Sequence, residues 1–234
     1  MADAMQPSGA GSKASSMQRY EPPPWDIRDL GRIAYREAWE LQKEAVAARH
    51  AGEAPDTLLI CEHEPVITTG RGTPDDALLD ARFPVEQVER GGEATYHGPG
   101  QIVVYPIVAM HAGARDLHKW LRALEQACIV VLGGFDLPTA RKEGATGVWV
   151  QDERKLVSIG VAADRWVTWH GLALNHSPDL EHFAAIKPCG FDAGVMTSVE
   201  KELGAEAPSR ETLVKELIQA LRIELAVFRE LPAS

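Results

Sequence analysis

The sequence predicts an α+β or mixed α/β fold, a single domain with a mixed β-sheet flanked by helices. Two observations carry this. The apolar strand-like runs gather in hairpins instead of alternating strictly with helices, which argues against a doubly wound fold. Helical apolar stripes are interspersed with them along the chain. The 234 residues are 45 % hydrophobic and 25 % charged, the composition of an ordinary soluble domain. No internal repeat or second linker divides them. Residues 1–25 are read as a flexible tail, stiffened at its end by Pro22, Pro23 and Pro24, and residues 26–234 as one domain.

From Gly31 to about His50 the pattern is helical, with Ala34, Ala38, Leu41, Ala45 and Ala48 on one stripe and Gly52 as the stop. Thr57 to Cys61 is a short continuous apolar run, expected to be a buried strand. Turn-rich stretches follow, Gly70 to Asp76 and Arg90 to Gln101. Ile102 to Val108 has strand composition, and Pro106 within it predicts an edge position or a bulge. Arg115 to Leu132 is a second helix, with Leu117, Leu121, Leu124, Cys128 and Val131 inward and Gly133-Gly134 ending it. Gly147 to Gln151 and Lys155 to Ala162 form a hairpin around Asp152-Glu153, and Trp166 to Asn175 is another strand. A helical turn from Asp179 to Ala185 leads into Lys187-Pro188-Cys189-Gly190. Arg210 to Glu230 is helical, its leucines at 213, 217, 221 and 225 recurring every four residues.

A net charge of −10 argues against broad nucleic-acid binding, which needs a basic face. No apolar run approaches the ~20 residues that cross a bilayer, and no secretory signal is read at the N-terminus. Three widely spaced cysteines, Cys61, Cys128 and Cys189, form neither a disulfide framework nor a zinc knuckle. A reducing cytoplasm is the expected location.

The Gly/His-rich loop from Arg90 to Gln101 is the densest unusual segment. Glycines let a backbone approach a ligand and expose its N–H groups. Arg90 is suited to a carboxylate or phosphate and His97 to donating to a carbonyl. A tight hairpin around a packed aromatic explains the same residues. Cys189 sits in a Pro-Cys-Gly turn two residues after Lys187, and a nearby cation favours a thiolate. Cys61 and Cys128 lie on apolar stripes and read as core. Lys155 opens an apolar strand. It is either a solvated surface charge or an inward lysine beside Cys189, where lowering the thiol from ~8.5 to ~7 amounts to about 2 kcal/mol. His170, His176 and His182 stand six apart, matching neither a helical i, i+4 pair nor a zinc spacing, so no metal is expected. His170 is instead a candidate to line a pocket.

Taken together, these segments resemble the octanoyl/lipoyl protein transferase family. The resemblance runs from Leu58 to Ser198 through Glu62-His-Glu-Pro-Val66, Arg90-Gly-Gly-Glu-Ala-Thr-Tyr-His-Gly-Pro-Gly-Gln101 and Gly147-Val-Trp-Val150. It continues through Lys155-Leu-Val-Ser-Ile-Gly160, His170-Gly-Leu-Ala-Leu-Asn175 and Pro188-Cys-Gly190. The second and last of these are the specific ones. Glu64 stands where the family often has proline and His176 where an apolar residue is usual.

The resemblance implies a biotin/lipoate protein ligase-like fold and an octanoyl-[acyl-carrier-protein]:protein N-octanoyltransferase that uses no cofactor. It implies Cys189 as acyl acceptor with Lys155 beside it. It implies an acyl pocket lined by Arg90, Gly91, Gly92, Glu93, Ala94, Thr95, Tyr96 and His97, by Ser158, Ile159 and Gly160, and by Gly171, Leu172 and Ala173. Its partners would be octanoyl-acyl carrier protein as donor, and lipoyl domains of 2-oxoacid dehydrogenase complexes and the glycine cleavage H protein as acceptors. Because those partners are acidic, Arg90, Arg141, Lys142, Arg154 and Lys187 are expected to form a basic rim. The closest alternative is an ATP-dependent lipoate or biotin protein ligase on the same fold, whose glycine–arginine loop Gly70-Arg-Gly72 echoes. A catalytically silent acyl-binding module and a thioesterase are further alternatives.

Overall fold

A computed structural model describes residues 24–187 and 193–229. The 1–23 stretch, Cys189 with its neighbours from 188 to 192, and the last five residues lie outside the described residues.

Strand β6 (Gln101–Ile107) is buried along its whole length. Its Ile102 and Val104 enter one apolar layer, and Val103, Tyr105 and Ile107 enter the other. That alternation is the signature of a strand covered on both faces. Around it runs a seven-stranded sheet in the order β1 (Asp26–Ile33), β2 (Thr57–His63), β6, β10 (Val167–Asn175), β9 (Arg154–Asp164), β8 (Ala145–Val150) and β7 (Ala140–Lys142). β1 and β2 are parallel and every other pair in this sheet is antiparallel, so the sheet is mixed, as expected. Helix α1 (Tyr35–Ala51) crosses between the parallel pair and covers the face of Val103 and Ala173. Helices α2 (Leu117–Gly133) and α4 (Arg210–Glu224) cover the opposite face. Asp116 caps α2 by accepting from the His118 and Lys119 N–H groups, and Ser209 caps α4 through Thr212 N–H. The short helix α3 (Val199–Leu203) precedes α4.

A second sheet, in the order β4 (Val85–Gln87), β3 (Val66–Thr69), β5 (Thr95–His97), was not expected, and only β5 falls in a stretch read as turn-rich. It packs Ile67, Ala94 and Tyr96 against Phe183, Ile186 and Met196.

Four expectations are corrected. The first helix starts at Tyr35, not Gly31. Residues 26–33 are a strand whose side chains are mostly exposed, and Gly31 sits in it at φ +62° beside a register shift. The inward stripe of α1 is Tyr35, Ala38, Gln42 and Val46, because the Gln42 carboxamide is drawn inside to accept the His170 N–H at 2.9 Å. The last helix ends at Glu224, and a 3₁₀ turn, Ala226–Phe228, follows. Pro106 marks neither an edge nor a bulge, since β6 lies between β2 and β10.

The register of β10 against β6 is the same on both sides of Pro106, Leu172 facing Val104 and Val167 facing Ala109. The missing N–H is accommodated by a local gap. The Thr168 hydroxyl donates to Pro106 O at 2.9 Å, and the opposing His170 turns away at φ +55° to donate its N–H to Gln42. Proline therefore sits mid-sheet where side chains replace one pair of ladder bonds.

Candidate active site

The α1 side of the sheet carries a pocket of about 470 Å³, part of it open to solvent. Its wall is β9 and β10 read across in register: Ser158 faces Ala173, Ile159 faces Leu172 and Gly160 faces Gly171, and all six line it. The loop from Arg90 covers them, contributing Arg90, Gly92, Glu93, Thr95 and His97. Of the residues singled out in the sequence, Gly91, Ala94 and Tyr96 do not line this pocket. The Gly91 N–H is bonded to Val161 O at 2.9 Å, and Ala94 and Tyr96 are buried in the second sheet's core. Tyr35, Val103 and Tyr105 complete the lining, together with His170. Reading those three from sequence requires knowing that β6 turns Val103 and Tyr105 toward the side of Ala173 and that α1 begins at Tyr35.

The glycines bring backbone and side chain close. A Cβ at Gly160 would stand 2.9 Å from Arg90 Cδ, and one at Gly171 would run into Val104 O. A Cβ at Gly70 would lie 2.5 Å from Gly92 O, so Gly70-Arg-Gly72 is a packing element of the covering loop, tied by Arg71 N–H to Arg90 O and Gly72 N–H to Gly92 O. The buried Arg90 guanidinium donates to Thr68 O at 2.8 Å, Thr68 Oγ1 at 2.9 Å and Gly91 O at 3.2 Å. Arg90 thereby anchors the loop that carries it.

Lys155 is 1 % exposed, so the surface reading is set aside. A bulge aims it. Val148 faces Val157 while Trp149 faces Lys155, which leaves β9 one residue longer than β8 at this point. Leu156 and Val157 both enter the layer under α2. Lys155 is thereby re-phased onto the opposite face, the face of Ser158 and Gly160, although strict alternation would separate residues three apart. Its ammonium lies 5.4 Å from the Trp149 ring centroid. Its carbonyl accepts the Thr197 N–H at 3.0 Å, and its backbone pairs with Met196, so the chain resuming at Ala193 runs directly beside it.

Gly147 makes the room. It adopts φ +131°, and a Cβ there would meet Val157 O and stand 2.9 Å from Lys155 Cε. Its N–H is held at 3.0 Å by Glu125, a buried carboxylate that also accepts from Arg122 at 2.7 Å and Arg141 at 3.0 Å. Gly147→Ala is expected to destabilise the protein by about 1–3 kcal/mol, through strain and displacement of Lys155. It should also lower kcat beyond what the lost stability explains. Thermal melts and turnover measured well below Tm check both, and an unchanged Tm would refute the steric argument.

Cys61 and Cys128 are buried, as their stripes indicate. Burial raises both thiols, Cys128 to about 12, so neither is a thiolate near neutrality. The three spaced histidines go to separate tasks: His170 into the pocket wall, His176 to Pro208 O at 2.9 Å and His182 to the Tyr96 hydroxyl at 2.8 Å. Burial holds the two pocket imidazoles, and that of His63 packed behind them against Tyr35, His97 and Tyr105, neutral. It lowers His63 to about 4 and His170 to about 3, and holds His97 well below the usual range. Among the described residues, three of the five cations expected in a basic rim are ion-paired. Arg90 is buried, Arg141 pairs with Glu125, Arg154 with Glu202 at 2.8 Å and Lys187 with Asp76 at 2.5 Å, while Lys142 donates to Asp152 O at 2.6 Å.

Residues 34–222 match the profile of the lipoyl protein ligase A/B catalytic domain. The chain belongs to that family. An octanoyltransferase from Geobacter metallireducens is 44 % identical over 182 residues, covering 78 % of this chain and 85 % of its own. One from Nocardia farcinica is 41 % identical over 225 residues, covering 92 % and 89 %. At the level of fold, this member of the lipoyl protein ligase A/B family is similar to a lipoate-protein ligase A bound with ATP. That likeness has TM-score 0.69 and 13 % identity and covers 90 % of this chain and 88 % of the other. A biotin protein ligase from Aquifex aeolicus in complex with biotin and ATP gives TM-score 0.52 at 10 % identity, covering 86 % and 70 %. The expected lipoate/biotin ligase fold is present.

Proposed function

We propose that this protein is an octanoyltransferase of lipoate biosynthesis. It would move an octanoyl group from acyl carrier protein to a lysine of lipoyl domains, in 2-oxoacid dehydrogenases and the glycine cleavage H protein, through a thioester on Cys189. The observation that carries the reading is Lys155, buried at the head of β9 on the face of the pocket wall, in a chain over 40 % identical to named octanoyltransferases.

In the first half-reaction the Cys189 thiolate attacks the donor thioester carbonyl. The carbon–sulfur bond to the carrier arm breaks, and the carrier sulfur leaves as the thiol with the proton of the Lys155 ammonium, which becomes the neutral amine. In the second, the neutral lysine amine of the acceptor attacks the acyl-enzyme, the bond to Cys189 breaks, and an amide forms as the amine loses a proton. Thioester to amide is downhill, so no ATP is consumed. Lys155 stabilises the thiolate and, when neutral, takes the amine proton. Ser158 to Gly160 and Gly171 to Ala173 wall the acyl chain, with Arg90, Gly92, Glu93, Thr95 and His97 above. At about 0.8 kcal/mol per buried methylene, each carbon is worth roughly fourfold in binding, enough to select chain length.

Intact mass spectrometry after mixing with octanoyl-acyl carrier protein, without ATP, tests this. A single octanoyl adduct on the wild type and none on Cys189→Ser is the expected result. No adduct on either, with acceptor modification only when ATP and free acid are supplied, would replace it with the ligase reading.

A further inference from the structure

A line of buried hydrogen bonds joins the pocket to the strand that carries Lys155. His97 Nδ1 meets Gln101 Oε1 at 3.1 Å. Gln101 Nε2 donates to Tyr96 O at 3.1 Å and to Asn175 Oδ1 at 3.0 Å. Asn175 Nδ2 donates to Thr197 O at 2.9 Å, and Thr197 N–H donates to Lys155 O at 3.0 Å. The Thr197 hydroxyl donates to Glu202 Oε1 at 2.6 Å, and Glu202 in turn pairs with Arg154. Gln101, Asn175 and Thr197 are each at most 2 % exposed.

The direction of every bond is fixed by its ends. A backbone carbonyl only accepts, so Tyr96 O requires the amide nitrogen of Gln101, and Thr197 O requires that of Asn175. Each amide oxygen is then forced to the other side. Gln101 Oε1 faces His97 Nδ1 and can only accept from it, so the neutral imidazole carries its proton on Nδ1. Its Nε2 is left as an acceptor on a ring that lines the pocket. His97 thus donates to a carbonyl, as its sequence context suggests, but the carbonyl is that of the Gln101 side chain, and the nitrogen turned to the pocket is the acceptor.

We propose that Gln101 and Asn175 are positioning residues for acyl transfer: their two amides lock His97 in the Nδ1–H tautomer, with Nε2 presented to the N–H of the incoming amine, and tie that ring to Thr197 and the Lys155 backbone. The role in transfer rests on the octanoyltransferase reading, whereas the tautomer does not. Gln101 and Asn175 close two of the segments singled out in the sequence, Arg90 to Gln101 and His170 to Asn175, yet neither lines the pocket. The relay gives them a task that packing alone does not, because an apolar residue of equal size would fill the same space.

The test is long-range ¹⁵N–¹H correlation spectroscopy of the histidine rings in the ligand-free protein, paired with steady-state kinetics. In the wild type, His97 should show Nδ1–H and an unprotonated Nε2 throughout pH 5–8. Gln101→Leu should release the tautomer to a mixture and lower kcat at least tenfold, with KM for the octanoyl donor changed less than threefold. Gln101→Glu keeps an acceptor for Nδ1–H and provides a second variant should the leucine form fold poorly. Its carboxylate favours the imidazolium, so His97 titrates at a higher pH. As pH falls through that value Nε2 becomes a donor, and kcat should drop on an acid limb the wild type lacks. An Nε2–H tautomer in the wild type would overturn the proposal, as would a Gln101→Leu protein that keeps both the tautomer and kcat. A correct tautomer in a protein that transfers no octanoyl group would instead count against the functional reading alone.

Discussion

Lys155→Met is expected to lower kcat by about 10³-fold, within the range of a lost acid–base group, while the protein remains folded. Methionine matches the length of the lysine stem and fits the buried slot beside Trp149 and Gly147. It also removes the cost of holding an ammonium at 1 % exposure. What it deletes is the charge proposed to favour the Cys189 thiolate. The direct readout is the pH dependence of iodoacetamide alkylation. Cys61 and Cys128 are buried with raised thiols, so the native protein should report Cys189 alone. The midpoint should move up from about 7 toward the free value of ~8.5 in the variant. A variant that keeps activity within tenfold and alkylates with the wild-type pH profile would remove Lys155 from the mechanism.

That lysine shows where the sequence was legible and where it was not. The hairpin of β8 and β9 and the strand β10 follow from short apolar runs set around a turn, and the stripes of α2 and α4 from apolar periodicity, because each of these helices buries one regular face. Cys61 and Cys128 were recognisable as core from their stripes for the same reason. Lys155 was ambiguous because its direction is set by a single extra residue on β9, and a bulge leaves no mark on hydrophobic alternation. β1 escaped notice because it is an edge strand held mainly by its backbone, with few buried side chains to give a pattern. β3, β4 and β5 are three or four residues long and set among glycines and prolines, too short for a period to register.

The strand wall of the pocket was legible only through the family resemblance. Gly160 and Gly171 face each other in register, and each is crowded by backbone or Arg90 in a way that excludes a side chain. The pocket's aromatic floor was not. Tyr35 and Tyr105 reach it only through the three-dimensional stacking of α1 on β6, with Tyr35 against His97 at 5.9 Å and against His63 at 5.1 Å. Residue-by-residue reading could not say which ring nitrogen of His97 donates, because that is decided by carbonyls at Tyr96 and Thr197 through two intervening amides.

Stability should fall steeply as pH drops below about 6.5. Three buried imidazoles lie in or directly behind the pocket wall: His63, lowered to about 4, His170, lowered to about 3, and His97, held well below the ordinary value, in each case chiefly by burial. The unfolded chain protonates these residues near 6.5. Between that pH and the folded values, the unfolded state therefore binds more protons than the native state, so acid favours unfolding. Each histidine contributes at most about 1.4 kcal/mol per pH unit, or about 4 together, against a typical total stability of ~5–15. Urea midpoints measured from pH 7.5 to 5 should be level above 6.5 and fall below it. His170→Leu should flatten that slope by one proton, at a cost at pH 7.5 limited to the strain of a leucine at φ +55° and the lost stacking on Trp169, since among the described residues neither ring nitrogen of His170 has a hydrogen-bond partner to lose. His63 is a poorer choice for the substitution, because its ring donates to Ile33 O at 3.0 Å and accepts from the Tyr105 hydroxyl at 2.7 Å. A stability flat between pH 7 and 5 would mean that these rings gain access to water in the native state, and that the pocket floor is wetter than its packing implies.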